Sequence, residues 1–335
     1  MIEDKFVTLA YGNGGRFMRV LIEEIFARHL SNPQLDLNAD AAHLSMPPGD
    51  VLITTDGFTV HPLEFPGGDI GSLAIHGTVN DLAVAGATAV YLTLNVFIEE
   101  GMEFSQLDRV IASMARAAKT CGVRVVAGDT KVLRRGEGGG LYIATTGVGI
   151  RQPGLRLGLH QVRPGDVVMV SGPVGDHGTA VLLAREDFDL KGNLDSDAAS
   201  VLPLARGLWD LAGLRFMRDP TRGGLATVMH DIVRASKITV HLKETAIPVH
   251  PQVRAVCEML GYDPLYLACE GRVVGVISPE DAQRALDIWH ALPGGESAAL
   301  IGELAGPGAE VVLHTEIGGE RLLEELEDDP LPRIC

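Results

Sequence analysis

Cys335 is the last residue of "DDPLPRIC" and stands beyond two prolines. A thiol at a chain end has no packing role, yet it is the strongest nucleophile among the side chains. Five acids stand beside glycine or at element ends: Asp56 in "TTDGF", Asp69 in "PGGDIG", Asp81 in "GTVNDLA", Asp129 in "AGDTK" and Asp219 in "RDPTRGG". Carboxylates on such turns hold hard cations through oxygen, and Mg²⁺ typically takes one or two of them together with phosphate. At any single position Asp-Gly is also ordinary turn chemistry; the set of five is what carries the metal reading. Lys131, two residues after Asp129, can pair with a phosphate or a developing negative charge, or simply stay solvated. Glu270 lies in "LYLACEGRVVGVIS", where apolar neighbours would raise its pKa and suit it as a general base. The alternative for Glu270 is a strand-end ion pair with Arg272. "YGNGGR", "SGPVGDHG" and "DPTRGGLA" offer backbone N–H groups to phosphate, though none follows the Walker or G-x-G-x-x-G pattern. Cys121, Cys257 and Cys269 read as small buried hydrophobes, and His76, His177 and His230 as structural, since no ligand spacing links them.

The elements that position these residues follow from periodicity. "RFMRVLIEEIFARHL" has helical apolar spacing, "DVLITTDGFTV" is a strand ending at Asp56-Gly57, and "SLAIHGTVNDLAVAG" is a helix. On that helix Asp81 shares a stripe with Ala74, Gly77, Thr78 and Ala85, leaving room for a ligand or for a second backbone. "AVYLTLNVF", "VRVVAGDTK" and "LYIATTGVGI" read as strands and residues 105–121 as a helix. The order predicts an α+β (mixed α/β) fold, with a first domain over 1–155 and the Pro/Gly/Arg-rich "RQPGLRLGLHQVRPGD" as junction. A second α/β unit over 156–325 has helices near 178–186, 198–213, 225–236 and 279–291 and strands near 238–242, 273–278 and 298–304. Residues 326–335 form an acidic, Pro-punctuated tail expected to be extended and mobile, with a reach on the order of 30 Å.

Composition bounds the function. The 335 residues, 46% apolar with 40 glycines and few aromatics, have the profile of a compact cytoplasmic enzyme. A net charge of −16 argues against nucleic acid and anionic membranes as partners. "MIEDKFVTLAYGNGG" lacks the apolar core of a signal peptide. The four cysteines contain no C-x-x-C, which fits reduced thiols better than zinc or disulfides.

Together, "TTDGFTVHPLEFPGGDIGSLAIHGTVNDLAVAGA", "GDTKVL", "SGPVGDHG", "RDPTRGGLA", "CEGR" and the terminal "PRIC" resemble the HypE family of hydrogenase maturation proteins. The likeness runs from about residue 8 to the end. It implies a two-domain architecture like that of aminoimidazole ribonucleotide synthetase, and a homodimer whose N-terminal sheets pair, with ATP and Mg²⁺ near that interface. It implies that Cys335 receives a carbamoyl group from HypF and that the chain dehydrates it to a thiocyanate. The cyano group would then pass to iron on a HypC–HypD complex, for the [NiFe]-hydrogenase centre. By the same resemblance Asp56, Asp81, Asp129 and Asp219 are the metal–nucleotide acids, with Gly14, Gly128 and Thr130 also at the nucleotide. Lys131 and Glu270 take the positions for oxygen activation and proton removal. A thiocarbamate oxygen is a very poor leaving group until it is phosphorylated, so ATP fits the chemistry. A tethered tail would let one thiol visit donor, nucleotide site and acceptor in turn.

The chain departs from the family pattern at Tyr11, Asn13, His61, His76 and Cys269. Two other functions stay open on the residues alone. One is a small-molecule kinase or synthetase of the same superfamily, and the other is a nucleotide-gated scaffold without catalysis.

Overall fold

The computed structural model describes residues 2–185, 194–328, 331 and 334–335. Gly15–Leu21 forms α1, passes through a wider π turn at Ile22–Ala27, and ends in a single turn, α2 (Arg28–Leu30). Next come β1 (Val51–Phe58), a tight hairpin of β2 (Glu64–Phe65) and β3 (Gly68–Asp69), and α3 (Ile70–Val84). β4 (Ala87–Glu99), α4 (Phe104–Cys121), β5 (Arg124–Leu133) and β6 (Leu141–Arg151) complete the first half. Its sheet has the order β1-β6-β4-β5, with only the β4–β5 pair parallel.

α3 and α4 cover one face of this sheet. α3 is apolar nearly all round and almost wholly buried, as a helix between two layers must be. Its small residues serve close packing: a Cβ on Gly77 would stand 2.9 Å from the Phe58 ring, and one on Gly147 of β6 would stand 2.6 Å from Thr78. α4 is amphipathic, burying Leu107, Val110, Ile111, Met114 and Ala118 at helical spacing.

Asp69, one of the five acids, has a structural task. Its side chain accepts the N–H groups of Gly71 (2.7 Å) and Ser72 (3.0 Å), and Ser72 Oγ accepts the Asp69 N–H, closing a capping box at the start of α3. Asp69→Ala is therefore expected to lower stability by about 1 kcal/mol and leave nucleotide affinity unchanged, as urea unfolding and calorimetric titration would report.

The second half contains β7 (Val167–Val170), α5 (Asp176–Arg185), α6 (Leu202–Leu208), β8 (Leu214–Arg218), α7 (Gly224–Ser236) and β9 (Ile238–Lys243). α8 (Pro251–Leu260), β10 (Val274–Ile277), α9 (Pro279–His290), β11 (Ala299–Pro307), β12 (Val311–His314) and β13 (Glu320–Leu322) follow. Its sheet has the order β13-β12-β9-β11-β7-β10-β8. The mixed α/β class is as expected. The helix expected over 198–213 shrinks to α6, because Ser196–Ser200 is taken up by a polar loop. α8, β8, β12 and β13 were not anticipated. Position 186 of the helix expected near 178–186 lies outside the described residues, as do Asp329, Pro330, Pro332 and Arg333 of the tail. No helix among the described residues is long and apolar enough to cross a membrane.

Candidate active site

Alternation along β1 turns Asp56 toward α3, where Thr78 Oγ1 lies 3.5 Å from its Oδ2. Asp81 projects from α3 to meet it and accepts the Thr54 hydroxyl at 2.6 Å. Asp219 follows β8 directly, at the far wall of a cleft lined also by Thr54, Asp81, Arg151 and Arg218. Burial, then the charge of Asp81, raises the Asp56 carboxyl above the ordinary range. Asp219 is raised by burial and then by Asp81 and Asp56. Three of the four sequence-predicted metal acids thus share one electrostatic site. They do not form a ready cage: among the described residues no group of three or more His, Cys, Asp or Glu side chains gathers as a metal site.

Glu270 joins this group. The Cys269 N–H donates to the Pro220 carbonyl at 3.0 Å, joining the loop after Asp219 to the loop bearing Glu270. Gly224, at φ +58°, permits the approach, since a Cβ there would stand 2.5 Å from the Leu267 carbonyl oxygen. Glu270 is buried, its Oε1 has no hydrogen-bond partner, and its pKa is pushed well up, first by burial and then by Asp219, Asp197, Asp56 and Asp81. The expected alternative, an ion pair with Arg272, is corrected: Arg272 reaches Asp176 at 3.2 Å and Asp197 at 3.4 Å.

Asp129 and Lys131 do not join the cluster. The register runs Asp129–Asn95–Ala144–Gly57 and Lys131–Phe97–Tyr142 across the sheet, whereas Asp56 pairs with Thr145, whose side chain faces α3. Asp129 and Lys131 therefore stand on the open face, ion-paired to each other at 2.7 Å, and Asp56 stands on the covered one. Within the chain Asp129 thus stands apart from Asp56, Asp81 and Asp219. The open face also carries an apolar patch, with Ile53 71% exposed and a depression among Phe97, Leu133 and Tyr142.

Gly128 and Thr130 alternate onto the covered side of β5. A Cβ on Gly128 would lie 2.4 Å from the Leu94 carbonyl oxygen, and the buried Thr130 hydroxyl has no hydrogen-bond partner. Both line a cavity beneath residues 22–42. Gly14 caps α1 at φ +79°, and neighbouring Gly12 packs on Val132 of β5, so this glycine loop lies over the strand bearing Lys131.

The tip of the tail rests against the end of β1. Leu331 and Ile334 are buried, and the Thr59 N–H, one residue past β1, donates to the Cys335 carbonyl at 3.1 Å. Three residues of strand separate Thr59 from Asp56, roughly 10 Å. His177, read from sequence as structural, is fully buried with Nε2 2.8 Å from the Ile334 carbonyl. Asn80 was also missed, although it adjoins Asp81. Its Nδ2 donates to the Glu270 carbonyl at 3.2 Å and its Oδ1 accepts the Val201 N–H.

Three of the five family departures, Tyr11, His76 and Cys269, have a local setting. Tyr11 is buried, donates to Asp4 at 2.7 Å, and has its hydroxyl pushed up to about 12 by burial and then by Asp4. Burial lowers His76 to about 4, which keeps it neutral. Cys269 Sγ accepts the Gly175 N–H at 3.2 Å.

Residues 38–151 match the AIR synthase related protein N-terminal domain, and residues 163–314 the corresponding C-terminal domain. The chain is 46% identical over 331 residues to the carbamoyl dehydratase HypE of Azotobacter vinelandii, covering 98% of this chain and 97% of that one. A crystal structure of the hydrogenase maturation protein HypE in complex with ATP superposes with a TM-score of 0.94 at 42% identity, covering 98% and 99% of the two chains. A chain of a HypE–HypF complex superposes at 0.80 and 41% identity, covering 91% and 99%.

Proposed function

The chain belongs to the carbamoyl dehydratase HypE family, and we infer from this that it is an ATP-dependent dehydratase acting on its own carbamoylated Cys335 in hydrogenase maturation. The observation that carries this reading is the meeting of two remote parts of the chain. The carrier cysteine's main chain is seated at the end of the strand bearing Asp56, beside a carboxylate cluster that contains a buried, unpartnered glutamate.

In loading, Sγ loses its proton and takes the carbamoyl carbon as the bond between that carbon and the donor's leaving group breaks. The carbamoyl oxygen then attacks the γ-phosphorus of ATP, and ADP leaves. A base takes one nitrogen proton. Loss of the second accompanies C–O cleavage, so phosphate departs and S–C≡N remains. The sum is thiocarbamate plus ATP giving thiocyanate, ADP, phosphate and a proton. Glu270 suits the base: its raised pKa makes the ionised carboxylate a stronger base, and its Oε1 has no hydrogen-bond partner. Asp56, Asp81 and Asp219 would hold Mg²⁺, which supplies charge neutralisation to the phosphates; open grouping of the acids suits an ion that draws several of its oxygens from phosphate and water. Arg151 and Arg218 offer cations to the same cleft. Thr130 presents an unpartnered hydroxyl, and the Gly14 loop offers N–H groups beside β5. In this reading 1–155 acts as the nucleotide-binding and dimerisation domain, 156–325 as the second domain, and 326–335 as the carrier tail.

Asp129 and Lys131, placed on the open face, serve a site completed by a second copy of the chain paired through that face. Ile53→Arg puts a charge at its most exposed apolar residue, so light scattering should report conversion of a dimer to a monomer. A dimer that persists would move the interface elsewhere. The partners in this scheme are HypF as carbamoyl donor and an iron-bearing HypC–HypD complex as acceptor, in the cytoplasm. Intact mass tests the whole: incubation with the donor enzyme should add one carbamoyl group, which loses one water with ATP and none with a non-hydrolysable analogue. An adduct stable to ATP would overturn it.

A further inference from the structure

Two contacts seat the last two residues. Thr59 donates its N–H to the Cys335 carbonyl at 3.1 Å, and its hydroxyl lies 3.4 Å from the same oxygen. His177 Nε2 is 2.8 Å from the Ile334 carbonyl. A carbonyl only accepts, so Nε2 carries the proton. Nδ1, 2.8 Å from Ser196 Oγ, then accepts the serine O–H, while that oxygen accepts the Ala198 N–H at 3.0 Å. Complete burial lowers the His177 pKa and keeps the ring in the neutral form this chain of bonds requires.

The neighbouring residue holds the opposite partner. Asp197 accepts the N–H groups of Glu270 at 3.1 Å and Gly271 at 3.2 Å, with Arg272 Nε 3.4 Å away. Adjacent residues of one loop thus orient the imidazole that grips the tail and the loop that carries Glu270. Glycines on both sides let the loop fit: a Cβ on Gly67 would stand 2.7 Å from the Ser196 backbone, and one on Gly271 1.9 Å from the Asp197 carbonyl oxygen.

We propose that His177 is a positioning residue: held as the Nε2–H tautomer by Ser196, it seats the Ile334 carbonyl and so presents the group on Cys335 to Glu270, whose loop is registered by Asp197. The idea rests on the dehydratase reading, and the two half-reactions separate its failure from the failure of that reading. The tail must leave its seat to be loaded and return to it to be dehydrated.

The experiment compares His177→Phe, His177→Gln and Ser196→Ala with the wild-type chain. It measures carbamoyl loading from the donor enzyme, single-turnover ATP-dependent loss of water from preloaded protein, and maleimide labelling of unloaded Cys335. His177→Phe should load at the wild-type rate or faster, label faster, and lose water about tenfold more slowly, the scale of one lost hydrogen bond to a positioned group. Gln keeps an N–H donor and should recover part of the rate, and Ser196→Ala should fall between. Unchanged water loss in His177→Phe overturns the proposal, as does an equal fall in loading and water loss. Should His177→Phe fail to fold, unchanged labelling and water loss in Ser196→Ala overturn it. If the wild-type adduct never loses water, the dehydratase reading fails, and equal labelling of wild-type and variant chains would still overturn the seating.

Discussion

Cys335→Ser should bind ATP with wild-type affinity and yield no thiocyanate. The substitution changes one atom at a half-exposed terminal position, so the acid cluster and both sheets are left as they are. What it removes is nucleophilicity, since a hydroxyl far from its pKa is a poor acceptor of a carbamoyl group unless a base activates it. The seat of the residue survives, because Thr59 and His177 bind main-chain carbonyls that serine also has. Intact mass after incubation with donor and ATP should show no adduct, and calorimetric titration should give an unchanged dissociation constant. A serine variant that still supports hydrogenase maturation in cells would reduce the chain to a nucleotide-gated scaffold. Loss of ATP binding alongside the adduct would mean that the thiol helps build the nucleotide site.

Much of this site was legible in the chain, and the limit has a physical cause. Asp56, Asp81 and Asp219 stand at element ends that periodicity locates, and their chemistry is carried by residue type. Whether Asp129 belongs with them depends on the strand order β1-β6-β4-β5, in which β5 is three places from β1. Non-local pairing of that kind leaves no trace in local pattern, so two acids on opposite faces of one sheet looked equivalent. Glu270 and Arg272 failed in the same way: spacing suggested a pair, but Asp176 and Asp197 take the guanidinium. His177 lies 157 residues from Ile334, and no neighbour in sequence announces that contact. Composition marks the tail as a segment that cannot pack by itself and is silent on where its tip rests. Asp69 is the reverse case. "DIGS" satisfies a local capping box, and that bland alternative accounts for it fully.

Glu270→Gln should slow water loss from the carbamoylated chain by about 10²–10⁴-fold, the usual contribution of a positioned general base, while loading of Cys335 proceeds unchanged. The amide keeps the size of the side chain, and the contacts that hold this loop are made by the backbone, through Asp197 and Asn80. Stability distinguishes catalysis from architecture here. In the folded chain burial, then the charges of Asp219, Asp197, Asp56 and Asp81, raise the Glu270 carboxyl well above its ordinary value. Below about pH 4 the group is protonated in both folded and unfolded chains, so the substitution is close to neutral there. As pH rises past that point, the unfolded chain releases the proton freely while the folded chain retains it. Wild-type stability therefore falls with pH until the folded pKa is passed, and glutamine removes that loss. The variant should consequently melt higher than wild type at neutral pH, by a margin that shrinks as the solution is acidified. A variant that is both inactive and less stable at pH 7 would mark Glu270 as a structural strut. One that is more stable and inactive would mean that the fold tolerates an unfavourable buried carboxylate for the sake of the proton it removes.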